Sequence, residues 1–335
     1  MLQLTTISSP STHRHHLRRR SAAIAMASST TDVVTGAQLQ ALLGRSDVKV
    51  LDSSWHMPNS GRSGRADFLE ARIQGAQFFD LDGVKNASSA LPHMLPPPSA
   101  FAAAADALGI EPNTHVVVYD TLGCFSAPRA WYTFRALGHN RVSVLDGGLP
   151  LWRAEGRPVE HGETASPVDA ATVACAAVQM STYPEAALNY PARLNSSLVK
   201  SMNDVMMSVV ERKQARLVDA RPEGRFYGII PEPRPGLRGG HIPGSCSLPF
   251  GQVLRPNGTL KSVEELKTVF DAAGAPLDDI AHPLWASCGT GVTACIVALA
   301  AAVAGRHDVA VYDGSWTEWG APDAVTPVAT GPAAQ

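Results

Sequence analysis

The chain has 335 residues, of which 45% are hydrophobic and 17% charged, and its formal net charge is −2. That length exceeds one ordinary core and suits two domains of roughly 100–150 residues each. The near-neutral balance gives no electrostatic footing for nucleic acid or an anionic membrane surface, and no apolar run reaches the ~18 residues that a spanning helix needs.

Residues 1–31 hold four arginines, many serines and threonines, and no acidic residue. They lack the apolar core of a secretory signal, so they read as an organelle transit peptide, addressed to the mitochondrion or the plastid. Met26 offers a second start and a shorter cytoplasmic form. From residue 32 to 157, short β-branched runs at 48–52, 116–119 and 142–145 alternate with helical segments at 99–108 and 127–137. Residues 158–200 are rich in Ala, Ser and Thr with weak periodicity and read as a linker. The rhythm then returns over 201–322, with strands at 216–219, 284–287 and 309–312 and helices at 262–273 and 292–304. Residues 323–335 carry no pattern and are expected to be a disordered tail. Strands alternating with helices predict an α/β fold, each domain a mainly parallel sheet flanked by helices.

The two stretches say the same thing twice. "VKVLDSSW" at 48–55 answers to "ARLVDARP" at 215–222, and "RIQGAQFFDL" at 72–81 to "HIPGSCSLPF" at 241–250. "VVVYD" at 116–120 answers to "LWASC" at 284–288, and "VSVLDGGLPLW" at 142–152 to "VAVYDGSWTEW" at 309–319. Four matches in order, at offsets of 167 to 169, indicate a duplicated domain.

The five cysteines (124, 175, 246, 288 and 295) are scattered, without a C-x-x-C pair or a neighbouring histidine at ligand spacing. Neither a disulfide framework nor a zinc site follows, and no cofactor is implied. One of them stands apart. In "PLWASCGTGVTACIVALA", residues 283–300, Cys288 ends a strand-like run, and the helix begins a few residues later. Gly289 and Gly291 let the backbone curl so that successive N–H groups point at one spot, a setting that favours an anion such as a thiolate. Cys295, inside the apolar helix, reads as inert packing. A phosphatase of the C-x5-R type would need arginine where Ala294 stands, which argues against phosphoryl chemistry.

"CGTGVTA" at 288–294, "GHIPGS" at 240–245 and "YDGSWTEW" at 312–319 resemble the catalytic half of a tandem rhodanese sulfurtransferase. "LDGGLPLW", "LPHMLP" at 91–96 and "FSAPRAW" at 125–131 resemble its non-catalytic half. Within that family the Cys-Gly-Thr-Gly-Val-Thr loop is similar to that of members acting on 3-mercaptopyruvate, plant forms above all, whereas thiosulfate-preferring members carry Cys-Arg-Lys-Gly-Val-Thr. The resemblance implies that Cys288 takes sulfur from 3-mercaptopyruvate as a persulfide, releases pyruvate, and passes the sulfur to cyanide or to a thiol acceptor such as thioredoxin. It implies Thr290 as a proton-relaying or substrate-bonding hydroxyl. Arg225 and Arg234 of "RFYGIIPEPR" would hold the substrate, and Gly289, Gly291, Val292 and Thr293 would complete its loop.

In the first copy Asp120 stands in the nucleophile's place, and Cys124 lies off the site. Many relatives bring a histidine from the first domain at the head of an H-x-P-G-A segment. Here that segment is "RIQGA", with Arg72 at its head, so either Arg72 alters the cleft's electrostatics or that assistance is dispensable. His241, its counterpart in the second copy, is expected to fix a loop. Two alternatives stay open: a thiosulfate-preferring sulfurtransferase, and a rhodanese-like binding or redox-sensing module in which Cys288 is oxidised without turnover.

Overall fold

The computed structural model describes residues 31–164, 168–180 and 187–331. The expected leader lies, but for Thr31, outside them. The strands of the first half are β1 (Val33–Val34), β2 (Val48–Asp52), β3 (Arg72–Ile73), β4 (Gln77–Phe78), β5 (His115–Tyr119), β6 (Val142–Leu145) and β7 (Val159–Glu160). Those of the second are β8 (Val199–Lys200), β9 (Arg216–Asp219), β10 (Ser245–Ser247), β11 (Leu284–Ser287) and β12 (Ala310–Tyr312). The first sheet runs β1-β6-β5-β2-β4, and the second, followed from β8, runs β8-β12-β11-β9-β10. Both are parallel throughout, while β3 and β7 form a small antiparallel pair. The duplicated sequence is a duplicated topology.

The central strands follow from their composition. "HVVVY" of β5 and "LWAS" of β11 are buried at every position, as strands covered by helices on both faces must be. Register then places the loops. Asp219, the last residue of β9, is paired with Ser287, the last of β11. The chain leaving β9 toward Arg221–Arg234 and the chain leaving β11 at Cys288 therefore emerge side by side at the carboxyl edge of the sheet, where open α/β folds bind ligands.

The halves share one core. The helices Ala127–Ala136 and Ala294–Val303 pack against each other. The second is Ala, Val, Leu, Ile and Cys all round, and a helix apolar on every side is stable only under apolar cover on every side. Phe101, Trp131 and Phe134 from the first half join Ile296 and Leu299 from the second in a single buried cluster. The Tyr132 hydroxyl crosses the junction, donating to the Leu198 carbonyl and accepting the Val311 N–H at 2.8 Å.

Two expectations need correction, the linker and the tail. The segment 158–200 contains a helix, Ala170–Gln179, laid on the helix Pro98–Ala107. Its buried stripe of Ala171, Ala174, Cys175 and Val178 has helical spacing, but small side chains give it little hydrophobic contrast. Strand β8 lies in that segment too and forms the edge of the second sheet, as β1 does in the first. Residues 323–331 are not a patternless tail. Thr326 is buried, Arg238 donates to its carbonyl and hydroxyl at 2.8 and 2.6 Å, Trp319 donates its indole N–H to Pro327, and Ala329 bridges to His241. Truncation after Asp323 therefore strands donors of Arg238 and Trp319. It is expected to cost about 3 kcal/mol of unfolding free energy, read as a lower urea midpoint with an unchanged slope.

Candidate active site

Cys288, Gly289, Thr290, Val292 and Thr293 line one small cavity of ≈ 50 Å³ together with Arg225, Pro233 and Arg234 of the neighbouring loop. The first half closes it with Trp55, Met57 and Phe125. Cys288 lies at its floor, 1% exposed. Space on this scale admits a molecule of a few heavy atoms.

The loop's carbonyls are turned away from the cavity and tied down. Cys288 O accepts the Trp316 N–H and Gly289 O the Thr317 N–H, both at 2.9 Å, and the Thr317 hydroxyl also donates to Gly289 O. The Cys288 N–H is taken by the Ser315 hydroxyl at 3.2 Å. Among the described residues, the N–H groups of 289–293 meet no protein acceptor. The first copy shows what such a loop holds. There the N–H groups of Leu122, Phe125, Ser126 and Ala127 converge at 2.8–2.9 Å on the buried carboxylate of Asp120, the residue that answers to Cys288. One copy has filled its anion cradle with its own side chain, and the other presents a cysteine.

Gly291 does not line the cavity. It adopts φ +79°, and a Cβ there would come within 3.0 Å of both Arg129 Nη1 and Asp313 O, so its place is behind the loop. Gly289 faces forward, where a Cβ would sit 3.3 Å from Arg225 Nη2.

The two arginines differ in circumstance. Arg225 turns its Nε and Nη2 toward Glu232, whose side chain is enclosed. Glu232 also accepts from the fully buried Arg221 at 2.8 Å. Arg221 in turn pairs with Asp219 at 2.6 Å and lies over the Trp316 ring. Four charges thus cancel in pairs, and Arg225 is braced, its Nη1 without a hydrogen-bond acceptor among the described residues. Arg234 forms no salt bridge or hydrogen bond among the described residues. Burial, and then the neighbouring Arg225 cation, lower its pKa from the ordinary value. It is the uncompensated positive charge facing the cavity.

Arg72 is not in the cleft. Its guanidinium donates to the Gly162 and Glu163 carbonyls and lies over Phe68 at the back of the first half. The histidine at the site is His93, from "LPHMLP". Its Nδ1 is 3.1 Å from Thr290 Oγ1, and its Nε2 is 2.9 Å from Asp82 Oδ1. Trp55 donates its indole N–H to the other Asp82 oxygen at 2.8 Å and meets the imidazole edge-on. A carboxylate only accepts, so Nε2 carries the proton, Nδ1 accepts, and the Thr290 hydroxyl donates to it. Burial lowers the His93 pKa despite Asp82, which keeps the imidazole neutral near pH 7. Burial pulls Asp82 up, but its bonds from His93 and Trp55 outweigh this and hold it below the usual carboxylate value. His93 has φ +59°, uncommon for a non-glycine residue, so the surrounding contacts impose its conformation. The available signal was a histidine between prolines in a loop, and sequence pattern could not rank it above position 72.

Burial pushes Cys295 up to about 12, Cys175 up to about 11, and Cys124 and Cys246 upward as well, and none of the four lines the cavity that Cys288 shares with the unpaired amides of 289–293. Iodoacetamide at neutral pH is therefore expected to modify Cys288 well before any of the four, as peptide mapping would show; equal labelling of Cys246 would contradict it. His241 stacks on Phe226 and bonds its carbonyl at 2.9 Å, a loop-fixing role.

Comparison with known proteins adds the following. The family model for the rhodanese-like domain matches residues 35–155 and again 203–322. The chain is 44% identical over 294 residues to "Thiosulfate/3-mercaptopyruvate sulfurtransferase 1, mitochondrial" of Arabidopsis thaliana, covering 87% of this chain and 76% of that one. It is also 44% identical to the thiosulfate sulfurtransferase of Bos taurus, covering 81% of this chain and 84% of that one. Among solved structures, SseA from Escherichia coli, described as a 3-mercaptopyruvate sulfotransferase with the rhodanese fold, superposes with TM-score 0.71 at 34% identity, over 86% of this chain and 100% of that one.

Proposed function

The chain belongs to the rhodanese family, with two rhodanese-like domains in tandem, and on that footing we propose that it is a sulfurtransferase that takes sulfur from 3-mercaptopyruvate through a persulfide on Cys288. One observation carries the reading. A cysteine, an uncompensated arginine and a histidine-bonded hydroxyl meet in one small cavity.

The steps follow from the residues. The Arg234 guanidinium, with the free nitrogen of Arg225, holds the substrate carboxylate and keto oxygen. The Cys288 thiolate attacks the substrate sulfur, and the S–S bond forms as the C–S bond breaks. The electron pair leaves with carbon as the enolate of pyruvate. Thr290 takes the substrate thiol's proton as it passes its own to Nδ1 of His93. The reverse relay, from His93 through Thr290 to the enolate carbon, gives pyruvate and returns both groups to their starting state. The outer sulfur, left anionic, faces the unpaired amides of 289–293, as the Asp120 carboxylate faces its own cradle in the first copy. An acceptor thiolate or cyanide then attacks that sulfur and returns Cys288 to the thiolate. The leader's composition, and a relative named mitochondrial, favour a mitochondrial address.

The second reading, a preference for thiosulfate, has the bovine relative in its favour. Gly289 speaks against it. The long cation of the thiosulfate-type loop at this position would run into Arg225. Pyruvate release from 3-mercaptopyruvate is expected to exceed thiocyanate formation from thiosulfate and cyanide by about tenfold or more in kcat/KM. Gly289→Arg is expected to narrow that ratio by displacing Arg225. A higher rate with thiosulfate in the unsubstituted protein would overturn the assignment.

A further inference from the structure

Arg129 lies in the first half, on the helix Ala127–Ala136, and is 2% exposed. Its guanidinium reaches three acceptors in three separate segments. Nη2 donates to the His93 carbonyl and, at 2.7 Å, to Asp313 Oδ1, while Nη1 reaches Gly291 O at 3.3 Å. Asp313 Oδ2 accepts the Leu95 N–H at 2.8 Å. The pair therefore grips the chain immediately after the His93 side chain, at the carbonyl of 93 and the amide of 95, next to the residue with φ +59°. It also grips the carbonyl of Gly291, next to Thr290. Each partner of the 3.1 Å contact between His93 and Thr290 is thus anchored, within two residues, to one ion pair.

A buried ion pair is a weak source of net stability, because desolvation offsets most of its attraction. What it does supply is fixed geometry, and Gly291 leaves room for it, since a Cβ there would press on Arg129 Nη1. We infer that Arg129, with Asp313, is a positioning residue by which the first half sets the Thr290–His93 contact, so that this half acts in the sulfur-transfer step beyond walling the cavity. The inference rests on the sulfurtransferase reading.

The test is a double-mutant cycle on the full chain, using single-turnover pyruvate release from 3-mercaptopyruvate in the parent, Arg129→Gln, Thr290→Val and the double variant. Arg129→Gln is expected to slow release about tenfold or more with KM changed less than about twofold, and to cost less than about twofold in the Thr290→Val background. An equal fold loss in both backgrounds marks a merely structural role and overturns the proposal, as does an unchanged rate. Where Arg129→Gln does not fold, Arg129→Lys, which keeps the charge without the fork, takes its place under the same criteria. A second readout needs no turnover. By NMR the His93 imidazole of Arg129→Lys, which keeps the cation that itself holds His93 down, should titrate closer to its ordinary value, as a ring released from its setting does. An unchanged His93 titration refutes the strut, whereas absence of pyruvate release in the parent refutes the sulfurtransferase reading alone.

Discussion

Cys288→Ser is expected to abolish pyruvate release from 3-mercaptopyruvate, by about 10⁴-fold or to background, while leaving the fold and its urea midpoint nearly unchanged. Serine is smaller than cysteine by little, and its hydroxyl fits a cavity floor whose neighbouring amides are unpaired. The alkoxide, however, is not formed near neutral pH, and no base adjoins it that could form one. Thr290, the nearest relay, already donates to His93. The remaining cysteines cannot substitute. Cys295 bonds the Gly291 carbonyl at 3.1 Å from behind the loop, and Cys124 is sealed in the core. Steady-state and single-turnover assays, with circular dichroism as the control for folding, read the outcome. Turnover within tenfold of the parent would remove Cys288 from the chemistry.

Arg234→Gln is expected to lower kcat/KM for 3-mercaptopyruvate by about 30- to 100-fold, mainly through KM. A charge-assisted hydrogen bond to a carboxylate contributes about 2–3 kcal/mol, and the carboxylate is bound alike in ground and transition states. The sign follows from the charges around the site. Asp219, Arg221, Glu232 and Arg225 neutralise one another, so removing Arg234 removes the cation of the cavity that has no anionic partner among the described residues. Arg225→Gln should be the more disruptive for folding, because it removes one of the two guanidinium partners of the enclosed Glu232. If Arg234→Gln leaves KM unchanged, the carboxylate lies elsewhere.

Much of this was legible in the chain. The strands at 48–52, 142–145, 216–219 and 284–287 stand where β-branched runs put them, and the helices 127–136 and 263–272 lie within a residue or so of their capping and apolar signals. The Cys288 loop was legible because a strand end, two glycines and a helix start leave few ways to fold. The parts that were not legible depend on distant partners. His93 sits in an irregular loop whose shape is imposed by Arg129 and Asp313, 36 and 220 residues away, and no local pattern carries that. The H-x-P-G-A segment drew attention to position 72, where a guanidinium caps carbonyls on the far side of the sheet. Gly291 looks like its neighbours in sequence, yet of residues 288–293 it is the one turned to the backing and not to the cavity. The stretch 323–331 has no periodicity because it forms no helix or regular strand. Its order comes from side chains of Arg238 and Trp319 reaching out to it.

The measurement that bears most directly on the account is intact-mass and peptide spectrometry of the protein treated with 3-mercaptopyruvate without an acceptor. The peptide containing Cys288 should gain about 32 Da, one sulfur atom, and lose it on addition of cyanide or a thiol. A sulfur found on another cysteine, or a protein that releases pyruvate while Cys288 stays unmodified under trapping, would contradict it.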